Sequence, residues 1–142
     1  MALKQITYGS IEYNKMLQLR NEVLRIPLGL TFTSEELANE KNDIFIGAFD
    51  EDQIIGCCIL TIIDYKSVRL RQMAVQKNQQ GKGIGESILH FAENIARDNG
   101  YIKLMMHARN TAIGFYEKMG YNITGEKFIE ANIFHHYMEK KL

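Results

Sequence analysis

The sequence predicts an α/β fold, with one central, mixed but mostly antiparallel sheet of about seven strands and about four helices on its faces. Three observations predict it. Three β-type runs between residues 44 and 75 are separated by short polar turns, which makes them an antiparallel meander. A strand, a glycine-bearing loop, a long amphipathic helix and another strand follow in that order, and such a succession implies a right-handed parallel crossover. Two further strand runs close the chain. A length of 142 residues suits one compact unit that buries a core without disulfide or metal staples. No Pro/Ser-rich linker, repeat or low-complexity segment divides it, so residues 1–142 are read as a single domain.

The elements are expected in the following order. A short strand occupies Gln5–Tyr8. Ser10 caps a helix over Ile11–Leu24, in which Tyr13, Met16, Leu17, Val23 and Leu24 recur at helical spacing. Arg25–Phe32, with Pro27 and Gly29, reads as loop. Thr33 and Glu36 make a capping box that opens a shorter helix, Ser34–Asn39. The meander consists of Ile44–Phe49, the turn Asp50-Glu51-Asp52, Gln53–Ile63, the turn Asp64-Tyr65-Lys66-Ser67, and Val68–Val75. Alternation along its last strand puts Val68, Leu70, Gln72 and Ala74 on one face and Arg69, Arg71, Met73 and Val75 on the other. Gln76–Lys82 is a polar loop. The helix after it runs from Gly83 to Asn99, with Ile84, Ile88, Phe91, Ala92 and Ile95 as its buried stripe and Gly100 as its left-handed terminator. Ile102–Ala108 is the next strand, Thr111–Met119 a short helix closed by Gly120, and Tyr121–Phe128 and Ile133–Glu139 are the final strands.

Composition excludes several classes of function. Apolar residues make up 46% of the chain and charged residues 24%, as in an ordinary globular protein. Seventeen basic side chains balance seventeen acidic ones, so the whole offers no basic field for nucleic acid and no polybasic membrane anchor. The two cysteines, Cys57 and Cys58, are neighbours on a strand. They therefore point to opposite faces, are poorly placed to bridge each other, and read as small apolar residues in a reducing compartment. No cysteine spacing of the metal-binding type occurs, and no metal is expected. Met1–Ser10 has no secretory apolar run, and the longest apolar stretch, Ile54–Ile63, is too short to span a bilayer. A cytoplasmic protein is the expectation.

The segment Gln80-Gly81-Lys82-Gly83-Ile84-Gly85 lies between a strand and the start of a helix. That position suits an anion, because the first backbone N–H groups of a helix lack internal partners and the helix dipole adds roughly half a positive charge there. Glycine lets an oxygen approach those groups without a Cβ in the way, and Lys82 adds a point charge. A Walker loop would need Ser or Thr after the lysine, but Lys82 is followed by Gly83. A dinucleotide fingerprint would need an acidic residue on the next strand, and Ile102–Ala108 has none.

The run Leu70-Arg71-Gln72-Met73-Ala74-Val75, the loop Gln80–Gly85 and the helix after it resemble the acetyl-coenzyme A site of the GNAT superfamily of N-acetyltransferases. The family's pattern is Arg or Gln, two residues, Gly, one residue, then Gly or Ala, and Gln80, Gly83 and Gly85 match it. Asn110 and Phe115-Tyr116-Glu117-Lys118-Met119-Gly120-Tyr121 look like the family's next signature, and the resemblance spans Asp43 to Leu142. It implies a GNAT-like domain whose sheet splays between the strand before the loop and the strand after the helix, with the pantetheine arm entering the gap much as an added strand would. It also implies acetyl-CoA as cosubstrate. Backbone of the Met73-Ala74-Val75 run would meet its acetyl-pantetheine end, residues Gln80, Gly81, Lys82, Gly83, Ile84 and Gly85 its pyrophosphate, and Asn110 would contact it from the far side.

Making an amide from a thioester needs a neutral amine, a polarised carbonyl and a proton for the departing thiolate. The resemblance puts Tyr116 near the sulfur, so Tyr116 is the candidate for that proton; a backbone N–H on the strand of Met73 can polarise the carbonyl. His107, His135, His136, Glu22, Glu130 and ordered water all stay open as the amine's base. The acceptor would lie between residues 20–29 and 130–136, where Arg20 and Arg25 are candidates to hold an anionic acceptor. The expected activity is transfer of an acetyl group to a primary amine, a small molecule such as an amino sugar or amine metabolite, by direct attack in a ternary complex. Two alternatives are an acyl-CoA-binding module without turnover and a protein or peptide N-acetyltransferase; an acyl-enzyme on Cys57 or Cys58 would instead give ping-pong kinetics. Neither nucleic acid nor membrane is expected as a partner, and a homodimer is left open.

Overall fold

A computed structural model describes residues 1–142. Its seven strands are β1 (Ala2–Ile6), β2 (Ile44–Asp50), β3 (Gln53–Ile62), β4 (Ser67–Val75), β5 (Lys103–Arg109), β6 (Asn122–Glu130) and β7 (Ile133–Lys141). They form one sheet in the order β1-β2-β3-β4-β5-β7-β6. Every neighbouring pair is antiparallel except β4 and β5, which are parallel and joined by the helix α3 (Ile84–Asp98). The other helices are α1 (Ile11–Arg20), α2 (Ser34–Asn39) and α4 (Ile113–Lys118). The mixed, mostly antiparallel sheet predicted from the turn chemistry is therefore observed. No helix is long and apolar enough to cross a membrane.

Alternation along the strands supplies two apolar faces, and each is covered by different helices. The larger core lies under α3 and α4 and includes Ile46, Cys58, Leu60, Leu70, Ile88 and Leu104. The smaller lies under α1 and includes Ile6, Tyr13, Met16, Leu19, Phe45 and Cys57. Cys57 and Cys58 thus face opposite sides as expected, and both are fully buried. Ser10 caps α1 by accepting from the Tyr13 N–H at 3.1 Å, and the Thr33/Glu36 capping box opens α2.

Four expectations need correction. The first strand lies earlier, at Ala2–Ile6, where it pairs with Ile6 opposite Phe45 through Ala2 opposite Phe49. The first helix does not run regularly to Leu24: α1 ends at Arg20 and a π-helical turn, Asn21–Arg25, continues it, closed by an N–H of Ile26 to the carbonyl of Asn21. Apolar spacing does not reveal such a widened turn, because Val23 and Leu24 remain on the inner side and pack against the α1-side core. On α3, Phe91 and Ile95 are only partly buried, while Leu89, Glu93 and Ala96 lie on the covered side. Glu93 tolerates burial because its carboxylate accepts the Tyr121 hydroxyl at 2.7 Å and Lys140 Nζ at 3.0 Å.

The fourth correction shapes the site. Along β4, Ala74 pairs with Cys57 and Arg71 with Ile59, so Gln72 and Met73 share the place opposite Cys58. This is a β-bulge, and Gln72 takes a left-handed φ of 54° to make it. The extra residue reverses the alternation. Ala74 joins the α1-side core, while Met73 and Val75 pack against the α3-side core together with Val68 and Leu70. β4 and β5 pair only from Ser67–Lys103 to Leu70–Met106. Beyond that point β4 stays with β3 as far as Val75 and β5 stays with β7 as far as Arg109, so the sheet splits into a V.

Candidate active site

The V opens into a cleft of about 1060 Å³. One wall is the bulged half of β4, the other is the end of β5 with the start of α4. The turn before α3 closes one end, and the π-helical turn with the β6–β7 turn closes the other. Met73, Ala74, Val75, Gln80, Gly81, Gly83, Ile84, Gly85 and Tyr116 all line it. Lys82 and Asn110 do not; both are exposed, Lys82 on the outside of the turn and Asn110 where β5 leaves the sheet.

At the α3 end the backbone offers unpaired donors. The N–H groups of residues 81 through 86 make no hydrogen bond within the protein; the first amide of the helix to do so is Ser87, which donates to the Gly83 carbonyl at 3.1 Å. Gly81 and Gly83 have φ of 79° and 80°, a left-handed geometry of the kind in which successive turn amides form an anion-binding concavity. Gln80 anchors the turn, since its side-chain amide donates to the Val75 carbonyl at 3.0 Å. A Cβ on Gly85 would stand 3.5 Å from the Phe115 ring and 3.7 Å from Val75, in the narrow part of the cleft between α3 and α4.

Tyr116 stands deep between these walls. Its ring is packed edge-on against Phe115, with centroids 5.1 Å apart, and near Tyr121 at 6.0 Å. Its hydroxyl has no hydrogen-bond partner in the protein. Burial, and next the thiol of Cys58, push its pKa well above the ordinary phenol value, so it is a protonated donor throughout the physiological range. Neither cysteine is fit to be a nucleophile. Burial pushes the Cys57 thiol up to about 12, and burial, with the neighbouring Cys57 second, raises Cys58 well above the ordinary thiol value.

The opposite end of the cleft carries polar side chains from β4, β5 and β7. His107, His135 and Glu130 line it, whereas His136 and Glu22 do not. His136 follows the other face of the sheet, opposite Ala108, and Glu22 lies in a separate surface depression with Lys15 and Asp52. His135 donates through Nδ1 to the Ile133 carbonyl at 2.8 Å, which fixes its proton there and leaves the Nε2 lone pair unshared. In His107, Nδ1 lies 2.8 Å from Arg69 Nη2 and 3.1 Å from Glu130 Oε2. A guanidinium can only donate and a carboxylate can only accept, so one proton position cannot satisfy both. Burial first, and the Arg69 charge second, hold the His107 pKa below the usual imidazole value despite Glu130, so the imidazole is neutral and the shorter contact, with Arg69 as donor, is the consistent hydrogen bond.

The arginines differ most from expectation. Arg20 is not a ligand for an acceptor: it is completely buried, held by Glu40 through two bonds of 2.7 and 3.0 Å, and Glu40 also accepts the Tyr13 hydroxyl at 2.6 Å. Its position on the inner face of α1 makes it a structural tie. Arg25 reaches the cleft but is bound to Glu36 at 2.8 Å and stacked over Phe32 at 4.1 Å. Three arginines that sequence reasoning did not single out also line the cleft: Arg69, Arg71 and Arg109. The only signal was alternation, which puts His107 and Arg109 on one face of β5 and Arg69 and Arg71 on one face of β4.

The sequence profile described as Acetyltransferase (GNAT) domain matches residues 30–142. The chain is 26% identical over 133 residues to the Bacillus subtilis protein YyaT, covering 86% of this chain and 88% of YyaT. It is 31% identical over 107 residues to the uncharacterized N-acetyltransferase YjcF of Bacillus subtilis, covering 75% of this chain and 74% of YjcF. Three other relatives are matched over 42% to 63% of their own length. A solved GNAT family acetyltransferase from Elizabethkingia anophelis, with acetyl-CoA bound, superposes with a TM-score of 0.75 at 22% identity over 99% of this chain and 97% of that one. A likeness at that identity establishes a common fold.

Proposed function

Because the chain belongs to the GNAT acetyltransferase family, we propose that it moves the acetyl group of acetyl-CoA to the primary amine of a small molecule by direct attack within a ternary complex. The observation that carries this reading is the row of six unpartnered amides at the start of α3, of which all but that of Lys82 belong to residues lining the cleft where β4 and β5 part. Those amides, from Gly81 to Glu86, take the pyrophosphate; the pantetheine arm runs along the freed edge of β4 at Met73 and Val75. At the split the thioester carbonyl meets a backbone N–H of the bulged strand, and the Tyr116 hydroxyl donates to the departing thiolate. Of the two histidines on the cleft wall, His135 has the unshared lone pair, on Nε2, and is assigned the amine's proton. The two buried, protonated thiols favour direct attack over a cysteine intermediate.

A screen of amines against acetyl-CoA, followed by release of free thiol, tests the activity, and calorimetric titration of acetyl-CoA tests the binding step by itself. The proposal expects both signals. Binding without thiol release for any amine would reduce the protein to a carrier of the cosubstrate, and absence of binding would remove the reading altogether.

A further inference from the structure

Four arginines line the half of the cleft farther from α3: Arg25, Arg69, Arg71 and Arg109. Two of them are occupied. Arg25 is paired with Glu36 at 2.8 Å, and Arg71 lies 3.5 Å from Asp43 and 3.3 Å from the Thr61 hydroxyl. The other two are undersupplied. Arg69 makes its one short bond to a neutral imidazole nitrogen, its nearest carboxylate, Glu130, is 3.9 Å away, and its buried Nε has no partner at all. Arg109 reaches only the Leu24 carbonyl, at 3.5 Å, and bridges to no carboxylate. A guanidinium carries five donors and keeps its charge, and an unsatisfied charged donor in a partly dry site is costly.

These two arginines line the same cleft. Arg109 and His107 are two residues apart on β5, so they share a face of the sheet, and Arg69 reaches that same histidine from β4. The pyrophosphate is already provided for by the amides at the other end of the cleft, so the unmet donors belong to a different anion.

We infer that the acceptor amine carries an anionic group, a carboxylate or a phosphate, bound between Arg69 and Arg109. The inference rests on the acetyl-transfer reading above. The same two charges disfavour the protonated amine, so the anion anchors the acceptor while the field around it favours the neutral, nucleophilic form of its amine.

The test uses the whole chain and matched amine pairs that differ only in the anion: ethanolamine with phosphoethanolamine for phosphate, and tyramine with tyrosine for carboxylate. The expected result is that at least one anionic member is acetylated with kcat/KM about 10- to 100-fold above its neutral partner, as charge-assisted hydrogen bonds give. Arg69→Gln and Arg109→Gln should each shrink that ratio through KM, with acetyl-CoA affinity unchanged by titration. Equal use of both members in each pair would overturn the inference, as would a preference that survives in the Arg69→Gln/Arg109→Gln double variant. If no pair is turned over, titration of the four amines into coenzyme A-saturated protein decides: selective binding of an anionic member supports the inference and its absence overturns it. Failure of acetyl-CoA to bind is a separate result, and it strikes the acetyl-transfer reading.

Discussion

Tyr116 has two separable parts. Its ring is core, packed against Phe115 and Tyr121, while its hydroxyl makes no hydrogen bond within the protein and the residue lines the cleft. Tyr116→Phe keeps the ring and removes only the donor. A donor acting on the departing thiolate predicts a fall in kcat and kcat/KM together, by about 100-fold at the lower end of general-acid effects, with acetyl-CoA affinity and Tm near normal. A packing role alone predicts normal turnover in Tyr116→Phe and a lowered Tm in Tyr116→Ala, so kinetics beside thermal melts separate the two. At the same scale, a Cys57→Ala/Cys58→Ala variant is expected to turn over at close to the parent rate, because burial keeps both thiols protonated. An acetyl-cysteine trapped by mass spectrometry, with activity abolished in the double variant, would contradict direct attack.

The turn before α3 acts as an element in the proposed binding, since its unpaired donors belong to the backbone and not to any single side chain. Gly83 caps the helix at φ 80°, and a Cβ there would meet no protein atom, so a larger residue is opposed by backbone strain and not by crowding within the protein. Gly83→Val is expected to lower stability by about 1–3 kcal/mol, the usual cost of such a conformation. Relief of that strain turns the amides away from their common point. Calorimetry should therefore show acetyl-CoA affinity lost in a variant that circular dichroism shows to be folded. Unchanged affinity would remove the pyrophosphate from this turn. The neighbouring element, the bulge at Gln72–Met73, complements the turn, because it ends the β4–β5 pairing region and directs the edge of β4 towards the cleft.

On the scale of the molecule, the cleft depends on segments that are distant in sequence. The π-helical turn after α1 supplies Val23, Leu24 and Arg25 to its wall, and Arg20 fastens that turn to the end of α2 through Glu40 and Tyr13. Arg20→Ala leaves a buried carboxylate without its partner and should lower stability by about 3–5 kcal/mol, read from urea unfolding. Replacing both partners, Arg20→Met with Glu40→Leu, should recover much of that loss, because two apolar groups carry no uncompensated charge. A weaker acceptor affinity in the paired variant at full stability would return Arg20 to the binding site.

The elements that obey a local rule were legible in the sequence. The Thr33/Glu36 capping box, the polar turns at residues 50–52 and 64–67, the long α3 stripe and the glycines before it each depend on neighbours within a few residues, and the parallel crossover follows from their order. The unpaired amides of the Gln80–Gly85 turn were legible for the same reason, since unpaired amides at a helix start are a property of the backbone. Tertiary structure alone decided the rest. The bulge at Gln72 is one extra residue whose only sign is the pairing of Ala74 with Cys57 and Arg71 with Ile59, and it reversed the faces assigned to Ala74, Met73 and Val75. Arg20 was a candidate for holding an acceptor until the fold paired it with Glu40, and the burial of Glu93 depends on Tyr121 and Lys140 reaching it across the fold. Arg69 and Arg109 become one site only where β4 and β5 part, because a charge's role depends on which opposite charges folding brings to it, and that distance is not written in the spacing of residues along the chain.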